Sequence, residues 1–195
     1  MRIATSPQLL NTGREDREAR IRDFVAAALV IRRASGNLEP VTFTLLVRAP
    51  DSPAARVIAA MAGELESAGV SVNAVLLDVD TYTEEPGRPS ILDMKNADLR
   101  VLSDARFTAA HEQLVLSGHC MWLGDCMRRD PSKRDAFEMF HHDNADATNH
   151  AAISFSRIWA CAQTLRRLRP LAPQMMVAGT LSDAAVNDPQ RLPRR

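Results

Sequence analysis

Cysteine, net charge and long apolar runs are the features that this chain of 195 residues most lacks. It has three cysteines, and this small, odd number argues against a framework of disulfide bonds. Arginine plus lysine equals aspartate plus glutamate at 24 each, so the protein as a whole has no electrostatic attraction to nucleic acid or to an anionic membrane. Any site for a polyanion must therefore be local.

The apolar runs are also too short for a membrane-spanning helix, which requires roughly 20 residues. The first residues lack the charged segment and the apolar core of a signal peptide. Together these two absences predict a soluble, cytoplasmic protein without membrane insertion.

The composition predicts one globular domain with flexible ends. Apolar residues make up 46% of the chain, which is enough for a substantial core. Polar residues without periodicity predict an N-terminal arm over residues 1–14. The periodic segments place the domain at residues 15–170, and a tail with basic residues and prolines covers residues 171–195.

The first half of the domain has the pattern of a helix followed by a strand, helix and strand unit. Its elements are an amphipathic helix over residues 15–34, a buried strand over 41–47, a helix capped by Ser52, with Pro53 in its first turn, that ends at Gly69, and a strand over 70–79. Such a unit predicts two parallel strands joined by a right-handed crossover.

The second half has shorter elements. They are, in order, a surface loop over residues 80–89, strands over 99–102, 113–116, 120–123 and 136–140, and a helix over 147–168. Gly118 is expected to ease the turn between the second and third of these strands. Thr148 or Asn149 is the predicted cap of the last helix, and Pro170 stops it.

Residues 107–129 hold the candidate functional site. His111 stands at the start of one strand of the predicted hairpin, and Gly124 follows the other strand. Arg128 and Arg129 come just after this glycine and could contact a phosphate through planar guanidinium groups. The stretch therefore combines a potential nucleophile with potential anion-binding groups.

This order of elements, together with a Phe-x-x-x-Trp pattern at Phe155 and Trp159, resembles one repeat of the phospholipase D superfamily. The similarity is greatest to the short bacterial endonuclease members, which carry one repeat per chain, and it covers residues 15–169. It implies an α/β fold of the phospholipase D-like single-repeat type, with a mixed sheet flanked by helices. Because one repeat supplies one histidine, it also implies a homodimer.

The family's motif is only partly present. Its histidine corresponds to His111, the glycine of its later turn to Gly124, and a glutamate on the following strand to Glu138. The family's lysine, however, falls on Gln113, and its asparagine falls on Met127. The family's aspartate falls on Gly118, or on Ser117 if this hairpin is one residue shorter. The family's serine falls on Asp125.

These departures bear on the chemistry that the resemblance implies. In the family one histidine attacks phosphorus, a second protonates the leaving group, and lysine and asparagine hold the phosphoryl oxygens. Losing one such donor can cost about 10²- to 10³-fold in rate. The sequence therefore predicts a largely dismantled phosphodiesterase site.

Several residues could replace the missing groups. Asp125 is the candidate for orienting His111, since Glu112 should point to the opposite face of its strand. The candidate phosphate-binding residues are Gln113, Ser117, Arg128, Arg129 and Glu138.

A metal site is a further interpretation of the polar residues. The potential ligands are His119, Cys120, Cys126, His141, His142 and Asp143, but their spacing fits no common zinc pattern. We predict no metal and no cofactor. Arginines near the end of the last helix are favoured by the helix dipole, so they do not by themselves indicate a nucleic-acid or lipid surface.

The sequence favours a noncatalytic module that binds phosphate or nucleic acid, or serves a structural or regulatory role with an unnamed protein partner. The alternative is an active phosphodiesterase, of nuclease or phospholipase type, that uses His111 as nucleophile across a homodimer. A third interpretation is a generic doubly wound α/β binding domain whose hairpin only mimics the motif.

Overall fold

The structure is a computed structural model that describes residues 8–9, 14–36, 39–79, 87–128 and 137–165. Most of the predicted arm, the tail, most of the loop over residues 80–89, and Arg129 lie outside the described residues. In the part that is described, no helix has both the length and the apolar character needed to cross a membrane.

The described residues form a mixed sheet, as the sequence predicted. Its strands are β1 (Gln8–Leu9), β2 (Val41–Val47), β3 (Val70–Leu76), β4 (Ala97–Val101), β5 (His111–Val115), β6 (Met121–Cys126), β7 (Phe137–His141) and β8 (Gln163–Thr164). Their order across the sheet is β1-β7-β6-β5-β2-β3-β4-β8. Strands β2, β3 and β4 are parallel, and the other pairs are antiparallel.

The helices cover both faces of this sheet. They are α1 (Arg14–Ala34), α2 (Pro53–Ala60), α3 (Ala62–Ser67) and α4 (Ala145–Cys161). Leu45 belongs to the core shared with α1, α2 and α3, whereas its neighbour Leu46 belongs to a cluster with Phe155 and Ile158 of α4. Because adjacent strand residues point to opposite faces, α4 covers one face and the other three helices cover the second.

The predicted helix between β2 and β3 is interrupted. It begins at Pro53 as expected, but it breaks at Met61, and the second piece ends before Gly69, whose φ is +66°. Ser52 does not cap it, because the Ser52 hydroxyl donates to a carboxyl oxygen of Glu112 at 2.6 Å. A tertiary hydrogen bond has replaced the local cap.

The last helix also differs from its predicted bounds. Asn144 is its cap, since its side-chain oxygen accepts the N–H of Ala147 at 3.0 Å, so the prediction of Thr148 or Asn149 was wrong. The helix stops at Cys161 rather than continuing to residue 168. The chain then turns extended and adds β8 to the edge of β4, where Thr164 pairs with Arg100.

Gly124 is required by a close approach to Trp122. A Cβ built on Gly124 would lie 2.6 Å from Cζ2 of the Trp122 ring and would also collide with Cη2. The ring is 1% exposed, so it has little room to move away. Gly118, by contrast, has no atom within 4 Å of its added Cβ, and its φ is not in the left-handed region.

We expect Gly124→Ala to lower the free energy of unfolding by about 1–3 kcal/mol, because the added methyl group overpacks a rigid site. Guanidinium unfolding followed by circular dichroism measures this loss. Gly118→Ala is the matched control and should change stability by less than about 1 kcal/mol. Equal effects of the two substitutions would contradict the packing argument.

Candidate functional site

The candidate site lies where the parallel strands reach their carboxyl ends. We call this end of the sheet the edge. Residues that follow the carboxyl ends of β2, β3 and β4 meet at this edge, which is where open α/β sheets commonly bind ligands. Strand β5 runs antiparallel to β2, with Gln113 opposite Leu46. His111 therefore starts β5 at the same edge.

His111 is exposed and has a defined ring orientation. Its Nδ1 lies 2.9 Å from the carbonyl oxygen of Gly124, and its ring makes an edge contact with Phe137 at 5.7 Å between centroids. A carbonyl oxygen can only accept, so we assign the proton to Nδ1. In the neutral imidazole, Nε2 then carries a free lone pair, as a nucleophile or an acceptor requires.

Asp125 does not orient this ring, contrary to the prediction. Its carboxylate accepts the backbone N–H of Cys126 at 2.7 Å and that of Phe137 at 3.3 Å. The carboxylate thus ties β6 to β7, and the Gly124 carbonyl takes the role that the sequence assigned to Asp125.

Gln113 is not available at the edge. The residue is 6% exposed, and its Nε2 donates to the backbone carbonyl of Ala151 in α4 at 3.3 Å. Its amide therefore serves as a contact between β5 and α4, and the prediction of phosphate binding by Gln113 does not agree with this placement.

Met127 is likewise drawn into the protein. It is 3% exposed, lies in the α4-side cluster with Phe155, and its N–H donates to the Ala110 carbonyl at 2.9 Å. The family that the chain resembles has a lysine and an asparagine, which donate hydrogen bonds, at the positions of Gln113 and Met127. In this chain both side chains pack inside the protein.

Glu138 and Ser117 lie away from His111. Glu138 is 4% exposed and pairs with Arg20 and, at 3.8 Å, with Arg17 of α1. Burial raises the pKa of Glu138, while the two arginines and the Trp122 indole oppose that rise. Since its neighbour Phe137 contacts the His111 ring, Glu138 points to the opposite face of the sheet.

Ser117 is exposed in the hairpin turn, where its hydroxyl accepts the N–H groups of His119 and Cys120. This turn is at the far end of β5, roughly 20 Å from His111 for six residues of extended chain. Ser117 and Glu138 therefore belong to the scaffold and not to the site.

A cavity with a volume of about 350 Å³ opens at the same edge. The sequence reasoning proposed Arg128 here but missed the polar residues that directly follow the strands. These are Arg48 after β2, Asp78 after β3, and Ser103 and Asp104 after β4. Their position after buried parallel strands was the signal that could have identified them.

Two charged groups at the cavity have well-defined surroundings. Asp104 is held by Arg106, whose Nη2 donates at 2.7 Å, and this hydrogen bond lowers the pKa of Asp104, which stays ionised. Arg128 is exposed and has no ion pair with any other described residue. A guanidinium group in this position can form two parallel hydrogen bonds with an anion.

The structure gives no coordination site to the potential metal ligands that it describes. Nowhere in the described ranges do three or more histidine, cysteine, aspartate or glutamate side chains gather in a way that could hold a metal ion. His119 instead lies 3.6 Å from Asp143, and the Cys120 thiol donates to the His142 carbonyl at 3.0 Å.

Glu112 fixes the start of β5 from behind the site. One of its carboxyl oxygens accepts the Ser52 hydroxyl at 2.6 Å and the Arg48 N–H at 3.1 Å. The residue as a whole is half-buried, but its carboxyl group is desolvated, and this raises the pKa of Glu112. The two hydrogen bonds and the charge of Arg17 lower that pKa in part, whereas Asp51 adds to the rise.

We expect Glu112→Gln to make stability less dependent on pH. A raised pKa means that the folded state holds the proton more tightly than the unfolded chain, whose carboxyl has its ordinary pKa of about 4.5. Wild-type stability therefore falls as pH rises through the folded-state pKa. Glutamine keeps the acceptor oxygen without this loss, so the variant should gain stability relative to wild type as the pH rises above about 4.5.

Urea unfolding at several pH values measures this difference. Glu66→Gln, at an exposed position of α3, is the control for removing one carboxylate. A difference between Glu112→Gln and wild type that stays constant across the pH range would show that Glu112 acts through packing and not through its ionisation.

No known sequence-family model matches the chain, and no curated protein matches it in sequence. Solved structures do match in fold. NucT from Helicobacter pylori superposes with a TM-score of 0.52 and 9% identity, over 78% of this chain and 92% of NucT. Nuc from Salmonella typhimurium, a phospholipase D family member, has a TM-score of 0.49 and 12% identity, over 74% of this chain and 90% of Nuc. The chain has the α/β fold of a single phospholipase D repeat, as its resemblance predicted.

Proposed function

We propose that this domain binds a phosphate-containing ligand at the edge beside His111 without hydrolysing it. One observation carries the proposal: Gln113, at the position of the family's lysine, is buried and donates its amide to the Ala151 carbonyl. Phosphoryl transfer needs donors that strengthen their contacts as charge develops on the phosphate oxygens. A neutral amide already engaged with a helix does not meet that need.

Moving Gln113 out to the edge would have a cost of its own. The Ala151 carbonyl would lose its side-chain partner, and a buried group left unsatisfied costs about 1–3 kcal/mol. Met127 adds to the deficit, because its thioether packs in the α4-side cluster and offers no donor. Donors that would stabilise the charge on the phosphoryl oxygens are therefore missing at these two positions, although the fold is kept.

Anion-binding capacity nevertheless persists at the edge. Arg128 lies two residues beyond Cys126, which is the cross-strand partner of His111. An exposed guanidinium group can bind a phosphate through two parallel hydrogen bonds, and Nε2 of His111 can donate a third when the ring carries a proton on both nitrogens. We infer that these two residues form the phosphate-binding part of the site.

An active phosphodiesterase that works across a homodimer is the second candidate. It is favoured by the hydrogen bond from Nδ1 of His111 to the Gly124 carbonyl, which leaves a lone pair on Nε2 in the neutral ring of this exposed residue. In that reaction Nε2 would bond to phosphorus as the bond to the leaving oxygen breaks. The His111 of a second copy would then protonate that oxygen.

Hydrolysis of bis-p-nitrophenyl phosphate separates the two candidates. We expect wild type and His111→Ala to release nitrophenol at the same background rate, with and without divalent cations, because neither Gln113 nor Met127 offers a donor to the phosphoryl oxygens. Turnover in wild type that is lost in His111→Ala, with both proteins folded by circular dichroism, would establish the phosphodiesterase instead. Sedimentation of the same samples reports whether activity requires a dimer.

Binding of phenyl phosphate tests the noncatalytic function. Calorimetry should show that Arg128→Ala weakens binding by about tenfold, since hydrogen bonds to a charged group are lost. Arg157→Ala, at an exposed position of α4, is the matched control and should bind like wild type. Absence of binding to wild type, or equal losses in both variants, would contradict the proposal.

A further inference from the structure

The cavity at the sheet edge has an apolar wall beside its charged rim. Leu77, Leu102 and Met127 line it at the ends of β3, β4 and β6. Leu102 is 7% exposed and Met127 is 3% exposed, and both are packed in the cluster with Phe155. The wall is therefore part of the core, which presents a fixed apolar surface to the cavity.

The charges around the cavity cancel. Arg48 and Arg128 contribute two positive charges, and Asp78 and Asp104 contribute two negative charges. Asp104 is also paired with Arg106 outside the lining. A bare polyanion would gain no net attraction here and would meet the carboxylates.

A ligand that suits this lining must therefore combine three kinds of groups. Its anionic part would meet Arg128, its hydroxyl or amino donors would meet carboxylate or hydroxyl oxygens such as those of Asp78 and Ser103, and its flat or apolar part would cover the wall. The volume of about 350 Å³ is within the range of small-molecule sites, which begins at roughly 300 Å³. Inorganic phosphate alone would leave most of the cavity unfilled.

We propose that this cavity binds a nucleoside monophosphate. The phosphate binds Arg128, the ribose hydroxyls donate to Asp78 and Ser103, and the base packs on the wall formed by Leu77, Leu102 and Met127. This inference rests on the proposed phosphate-binding function and narrows its ligand from any phosphate to a nucleotide. Met127 stands where the family has a polar residue. In this proposal it has a role, since it is part of the surface that holds the base.

Calorimetry with adenosine 5′-monophosphate and inorganic phosphate tests the ligand class. We expect the nucleotide to bind wild type about tenfold more tightly than inorganic phosphate, because the base removes apolar surface from water. If phosphate binds through Arg128 but the nucleotide binds no more tightly, the nucleotide proposal fails while the phosphate-binding function stands. If neither binds, both fail.

A second variant tests the location. Ser103 is an exposed lining residue, so Ser103→Trp should fold normally and fill the cavity with its indole. We expect it to lose the tighter binding of the nucleotide and to keep the affinity for inorganic phosphate. Ser154→Trp, at an exposed position of α4, is the matched control and should keep both. Unchanged nucleotide affinity in Ser103→Trp would overturn the proposal.

Discussion

The antiparallel pairing of β5 with β2 is the constraint on which the site depends. It brings the start of β5 to the edge where β2, β3 and β4 end, so His111 lies at the same edge as the residues that follow three parallel strands. The same pairing fixes which residues of β5 face α4. Because side chains alternate along a strand, Glu112 contacts Ser52 on one face while Gln113 contacts Ala151 on the other.

The order of helices and strands could be predicted from the sequence because buried residues recur at a spacing that is typical of each kind of element. The helix of α1, the parallel pair of β2 and β3, and the hairpin of β5 and β6 all appear close to their predicted bounds. The errors occurred where a tertiary partner overrides a local signal. Ser52 bonds Glu112 instead of capping α2, and the chain after Cys161 pairs with β4 instead of extending the helix.

The site itself was less predictable, because motif positions do not report side-chain direction or competing partners. His111 and Arg128 lie at the edge, whereas Gln113, Ser117 and Glu138 have structural partners that only the folded chain reveals. Gln113 and Met127 stand where the family that the chain resembles has donors to a phosphate. Here both side chains contact α4 instead. Under the proposed function, these helix contacts remove donors from the edge while the strand pairings are kept.

Phosphorus NMR of thymidine 5′-p-nitrophenyl phosphate mixed with the protein tests the central claim most directly, because one spectrum reports both binding and cleavage. Our account predicts that the phosphodiester resonance shifts or broadens in a saturable way, that Arg128→Ala reduces this effect, and that no phosphomonoester resonance grows with time. Growth of a monoester or phosphohistidine resonance that depends on His111 would show that the edge still performs phosphoryl transfer, and would contradict the account.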